Sequence, residues 1–221
     1  MNPFGRIKLL LFLLTFHVGY ADELFDQYQI HASRPSDINE HLPILRELAS
    51  QCKSVTEIGI RDIVSTWGLL QGLSESALRP RSYVGIDLNY PPFHKLSLAK
   101  DLAKNHSVSF EFIKGDDFTL DIDTTDMLFI DSLHTYCHLT YELEKFSSKV
   151  RKYIVLHDTS EPWGERDEDS PYYPYPSHID RIFKRGSWEA VVDFLDTHPD
   201  WQLKARYLNN HGLTVLKRKE T

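Results

Sequence analysis

The chain has 221 residues, 41% of them hydrophobic and 26% charged, with a formal net charge of −7. These values suit one globular domain, and with only 10 Gly and 11 Pro, in no period, they exclude disordered, collagen-like and low-complexity chains. The acidic balance argues against nucleic acid held by bulk electrostatics, and the two cysteines, Cys52 and Cys137, exclude a disulfide-stapled mini-domain.

In chain order, the first segment stands apart. Arg6 and Lys8 precede the apolar run Leu9 to Phe16, and Gly19 and Ala21 form a small-residue exit before Asp22-Glu23. Such a pattern predicts a signal peptide or short membrane anchor over residues 1–21. The run is shorter than the roughly 20 apolar residues that span a bilayer. An exported or membrane-anchored protein is the expectation, with a cytoplasmic one as the alternative. Residues 22–221 would then be a single domain.

Ile38, Leu42, Leu45, Leu48 and Ala49 form a stripe that predicts a helix over 36–52, with Asn39 as its cap and Pro43 in its first turn. Residues 55–60 read as a first strand, 65–73 as a helix, and 83–88 as a second strand stopped by Pro91-Pro92. A helix over 96–104 and a third strand over 109–113 follow. Asp126 to Asp131 is apolar on both faces, as a buried parallel strand is. Tyr136, Leu139, Leu143, Phe146 and Val150 predict an amphipathic helix over 136–150. Residues 153–157 make a fifth strand, and Trp188, Val191, Val192 and Leu195 a further helix. A closing antiparallel pair, 201–208 and 213–217, turns around Asn209-Asn210-His211-Gly212. Residues 160–178 form an acidic loop rich in Pro and Tyr, of the length that usually carries function. The alternation predicts an α/β fold: a Rossmann-like, doubly wound, seven-stranded, mostly parallel sheet with a closing antiparallel hairpin.

Ligands of such sheets bind beyond the carboxyl ends of the strands. Here the first strand is followed by Gly59, Arg61, Asp62 and Ser65, the second ends at Asp87, and the third is followed by Asp116 and Asp117. The fourth ends at Asp131 with His134 nearby, and the fifth at His157-Asp158-Thr159. So many acids and imidazoles on one edge point to a shared ligand site. Asp87 suits the two hydroxyls of a ribose, an acid after the third strand suits an adenine amino group, and Gly59 permits close backbone approach. A dinucleotide would require Gly-x-Gly-x-x-Gly. The chain has a single glycine there, so a nucleoside without phosphates fits better than NAD.

The segments Glu57-Ile-Gly59-Ile-Arg-Asp-Ile-Val-Ser65-Thr-Trp67, Val-Gly-Ile-Asp87, Leu-Phe-Ile-Asp131-Ser-Leu-His134-Thr-Tyr136, Ile-Val-Leu-His157-Asp158-Thr159 and Asn209-Asn-His-Gly212-Leu-Thr-Val-Leu-Lys-Arg218 resemble class I S-adenosylmethionine-dependent methyltransferases. Among these the bacterial methyltransferase family 24 is the most similar, over roughly residues 36–219. The main departure is Asp62, where many of these enzymes have a second glycine. The resemblance implies that Glu57 and Gly59, with Ser65 beside them, flank the methionine moiety. It implies that Asp87 holds the ribose and Asp117, with Phe118, the adenine, Asp116 competing for that contact. The expected reaction is O-methylation of a small hydroxylated acceptor such as a sugar.

Asp131, His157 and Asp158 are the expected metal ligands, for Mg²⁺ or Mn²⁺, because related metal-dependent O-methyltransferases carry acids at these strand ends. Asp131 as a helix cap and His157-Asp158 bonded to loops is the structural alternative. His134 is the expected general base and Asp131 its catalytic companion; alternatively His134 is packed and orients Asp131. Trp163, Tyr172, Tyr173 and Tyr175 of the long loop offer flat faces for a sugar or phenol. Two other readings stay open: a secreted, non-catalytic binding protein on the same fold, and a metal-dependent hydroxylase using iron at the Asp131, His157 and Asp158 set. The leader sharpens that choice, because an exported enzyme would lack a cytosolic supply of S-adenosylmethionine.

Overall fold

The computed structural model describes residues 22–167 and 185–220. Seven strands form one sheet: β1 (Ser54–Ile58), β2 (Arg81–Asp87), β3 (Val108–Lys114), β4 (Thr125–Ile130), β5 (Val150–His157), β6 (Trp201–Tyr207) and β7 (Leu213–Arg218). Their spatial order is β3-β2-β1-β4-β5-β7-β6. The first five are parallel, and β7 runs antiparallel to both β5 and β6. The expected α/β sheet with its closing hairpin is therefore present.

Among the described residues six helices cover it: α1 (Glu23–Ser33), α2 (Leu42–Ser50), α3 (Val64–Glu75), α4 (Phe93–Asn105), α5 (Tyr136–Phe146) and α6 (Gly186–Thr197). The two-residue period of the strands divides the core. Met127, Phe129 and Val155 join Leu45, Trp67, Leu70 and Leu102 beneath α1–α4, whereas Leu128, Ile130, Ile154 and Leu156 join Leu143, Phe146, Val191 and Phe194 beneath α5 and α6. Each such fully buried aliphatic or aromatic side chain contributes about 1.5–3 kcal/mol through lost water contact.

Three local readings need correction. The stripe at 36–52 is broken: Asn39–His41 is a 3-10 turn, and α2 begins at Leu42 with Pro43 in its first turn. The Asn39 carboxamide accepts from Ser36 N at 2.9 Å instead of capping a longer helix. α5 stops at Phe146, because Ser147–Lys149 turns into β5. α1 is additional, its first turn capped by Asp22 Oδ1, which accepts from Leu24 N and Phe25 N. Asp22 also lies 3.1 Å from Nε2 of His106, the residue that ends α4 just before β3. The start of the described chain therefore sits at the amino-terminal edge of the parallel strands.

No helix among the described residues is long and apolar enough to cross a membrane. The expected leader at 1–21, and Tyr172, Tyr173 and Tyr175, lie outside the described residues.

Candidate active site

A cavity of about 520 Å³ opens at the carboxyl ends of the strands, and its wall includes Gly59, Asp87, Asp117, Asp131, His134 and His138. Five of these six are residues expected at the site. They come from different strand ends, which the parallel register brings to one edge.

The turn after β1 shapes one wall. Gly59 has φ of +86°, and a Cβ there would lie 2.0 Å from the carbonyl oxygen of Asp131, so only glycine fits between β1 and β4. Asp87 Oδ2 accepts from Ile60 N and Arg61 N, both at 2.9 Å, and Asp87 Oδ1 from Asn89 N at 2.8 Å. These bonds hold a turn in which Arg61 and Ile63 adopt left-handed φ of 43° and 66°, strain that surrounding contacts must sustain. Asp62, the departure from the family pattern, points to solvent with Lys95 3.5 Å away.

Glu57 and Ser65 do not line the cavity. They brace it from behind: Glu57 is fully buried and accepts from the hydroxyls of Ser65, Tyr83 and Thr66, the last at 2.8 Å. Burial, partly offset by these three donors, pushes the Glu57 carboxyl up to about 7. A carboxyl raised above its unfolded value holds its proton longer in the folded state. Its contribution to stability is complete below about pH 4.5 and is lost as pH climbs toward 7. Glu57→Gln does not titrate, so from pH 5 to pH 8 its stability should gain on that of the wild type by about 3 kcal/mol. Urea titrations at both pH values check this, and parallel curves would refute it.

At the opposite end, Asp117 Oδ2 lies 2.7 Å from His138 Nε2, and His138 meets the Phe118 ring edge-on at 4.7 Å. Asp116 Oδ1 instead accepts from Phe118 N at 2.9 Å, so Asp117, not Asp116, contributes to the wall.

Two acids and two imidazoles converge beyond β4 and β5. Ile130 pairs with Leu156 across these strands, which sets Asp131 beside His157. His157 Nδ1 lies 3.1 Å from Asp131 Oδ1 and 3.0 Å from Asp158 Oδ2, while its Nε2 faces the carbonyl of Asn210 at 3.1 Å. His134 Nε2 lies 2.7 Å from Asp158 Oδ2 and 3.6 Å from Asp131 Oδ1. Burial alone would lower both histidines. The two carboxylates outweigh it, raising His134 to about 9 and His157 well above its ordinary value. Trp163 stacks on His134 at 6.0 Å, so the described part of the long loop does reach the site.

This donor set fits a divalent cation. Asp131, His134 and Asp158 offer ligand atoms within 4.8 Å of one another. His157 adds Nδ1, because the Asn210 carbonyl only accepts and therefore keeps the proton on Nε2. Two carboxylates with one or two imidazoles favour Mn²⁺ or Fe²⁺ over Mg²⁺, which prefers oxygen. A cation entering the set must displace the protons that the carboxylates hold on the imidazoles.

His138, Glu142 and Asn210 are not among the site residues that the sequence predicts. The i, i+4 spacing of His138 and Glu142 on α5 was a usable signal. Asn210 is expected only as part of the closing turn, and its contact with His157 depends on that turn (φ of 49°, 64° and 94° at Asn210, His211 and Gly212) packing against β5 from far along the chain.

The architecture has many counterparts among solved structures. An O-methyltransferase from Streptomyces achromogenes involved in tomaymycin synthesis, in complex with S-adenosylmethionine, superposes with a TM-score of 0.55 at 17% identity, over 93% of either chain. The fold is that of the S-adenosylmethionine-dependent methyltransferases. An O-methyltransferase from Bacillus cereus in complex with S-adenosylhomocysteine gives 0.54 at 14% identity, over 92% of this chain and 94% of that one. A protein from Corynebacterium glutamicum gives 0.57 at 16% identity, over 93% of either chain. No protein-family model and no curated protein matches the chain, so the resemblance to methyltransferase family 24 rests on the motifs.

Proposed function

We propose that the protein transfers a methyl group from S-adenosylmethionine to an oxygen of a small hydroxylated acceptor. The observation that carries this reading is the single cavity joining Gly59, Asp87 and Asp117, suited to a nucleoside, to the acid–imidazole cluster of Asp131 and His134. Gly59 admits the methionine portion close to the backbone, Asp87 accepts from a ribose hydroxyl, and Asp117 accepts from the adenine amino group. The O-methyltransferases from B. cereus and S. achromogenes, which share the fold, are described in complex with the demethylated product and with S-adenosylmethionine respectively.

The bound sulfonium supplies an electrophilic methyl. The acceptor oxygen forms the new C–O bond as the C–S bond breaks, giving a methyl ether, S-adenosylhomocysteine and one proton. The residues of this chain orient the acceptor and take that proton. His134 is the cavity-lining base, anchored by Asp158 and Asp131, and Trp163 covers it with a flat apolar face that suits a sugar or phenol ring. Asp131, Asp158 and His157 would hold a divalent cation, and the chemistry it would supply is acidification of the acceptor hydroxyl, with His134 beside it as the base.

Calorimetric titration of the full chain with S-adenosylhomocysteine tests the reading. Micromolar binding is the expected result. No binding to a protein shown to be folded would overturn it.

A further inference from the structure

Asp117, His138 and Glu142 form a buried cluster in and behind the cavity wall, 7%, 2% and 0% exposed. His138 and Glu142 stand four residues apart on one face of α5. His138 Nε2 lies 2.7 Å from Asp117 Oδ2 and 3.8 Å from Glu142 Oε1. Asp117, His138 and Glu142 bring ligand atoms within 4.8 Å of one another, and Glu142 accepts from Ser132 Oγ at 2.9 Å. Lys145 Nζ donates to the carbonyls of Asp117 and Phe118, at 2.6 and 2.9 Å, and fixes the turn that carries the acid.

Two carboxyl groups this close together away from water do not both ionise, and something must decide which keeps the proton. Here the partners are unequal. His138 gives its nearest ring nitrogen to Asp117 and stands a full ångström farther from Glu142. Burial and the adjacent Asp117 push the Glu142 carboxyl well above the usual range, whereas His138, overcoming burial, holds Asp117 down to about 2. The proton therefore resides on Glu142, and Asp117 presents only acceptor oxygens.

We propose that His138 and Glu142 lock Asp117 as a permanent hydrogen-bond acceptor, and that this lock makes the base end of the cavity select a purine with a 6-amino group over its 6-oxo counterpart. A 6-amino group donates to such an oxygen. A 6-oxo group sets oxygen against oxygen and leaves both unsatisfied. The inference rests on the cavity taking a nucleoside cofactor. His138 acts through Asp117 and is a positioning residue.

The test is calorimetric titration of the full chain with S-adenosylhomocysteine and with its deaminated analogue, S-inosylhomocysteine. The wild type should prefer the adenosine compound by about 100-fold. In His138→Leu the two carboxyls share one proton, Asp117 becomes in part a donor, and the preference should fall to about tenfold or less. His138→Gln restores an N–H toward Asp117 and should restore the preference, which simple loss of packing would not explain. Glu142→Gln, a fixed donor to Asp117, should keep it. Should His138→Leu fail to fold, Asp117→Asn carries the test, because its amide can present either end and should equalise the two ligands. An undiminished preference in folded His138→Leu or Asp117→Asn would overturn this proposal while leaving the methyltransferase reading standing. A folded wild type that binds neither ligand would overturn both.

Discussion

Asp87→Ala should weaken binding of S-adenosylhomocysteine at least 100-fold. Two losses add. The acceptor site that the backbone leaves on Oδ1 can take a ribose hydroxyl in a charge-assisted bond worth about 1.5–3 kcal/mol. The carboxylate also accepts from Ile60 N, Arg61 N and Asn89 N, which hold the strained turn that admits the cofactor. Asp87→Asn separates the effects, since an amide retains one acceptor oxygen and can keep part of that turn. It should bind better than the alanine variant yet well short of the wild type. Calorimetry on both variants, with circular dichroism to confirm folding, decides the matter. An alanine variant that binds like the wild type would remove Asp87 from the site and the nucleoside reading with it.

The second large effect concerns His134. As the residue that removes the acceptor proton, it should, on change to Gln, cost about 10²- to 10⁴-fold in turnover while leaving S-adenosylhomocysteine affinity within about threefold. The pH profile is the sharper readout. Asp131 and Asp158 hold the imidazole protonated up to about pH 9, so below that pH only a minority is in the basic form. In chelator-treated protein the rate should rise with pH, about tenfold per unit, and level near pH 9. Added Mn²⁺, by acidifying the acceptor hydroxyl, should move the rise to lower pH. A rate that is flat from pH 6 to 9 in the chelated protein, and unchanged in His134→Gln, would assign proton removal to another group.

Much of this site is legible in the sequence, because a parallel sheet converts strand ends into neighbours. β4 and β5 are recognisable as apolar runs that each end in charge, Asp131 on one and His157-Asp158 on the other, and the register places those ends side by side. Gly59 and Asp87 follow from the same logic. Glu57 is expected at the site only through the family resemblance, and strand alternation turns it to the opposite face, under Tyr83 and α3. His138 and Glu142 are hidden by their helix. The Leu139, Leu143 and Phe146 stripe accounts for α5 as an amphipathic element, and only the third dimension shows Asp117 arriving beside the polar pair. α1 carries no clear period in the sequence because it commits only Leu24 and Tyr28 to the interior.

The pairing of Asp22 with His106 bears on how the protein can be attached to anything else. It fixes the start of α1 at the amino-terminal edge of the strands, and β2 alone, at seven residues, separates that edge from the cavity by about 20 Å. A linkage made at Asp22, to a bead, a carrier or a surface, therefore presents the mouth outward and leaves ligand access unobstructed.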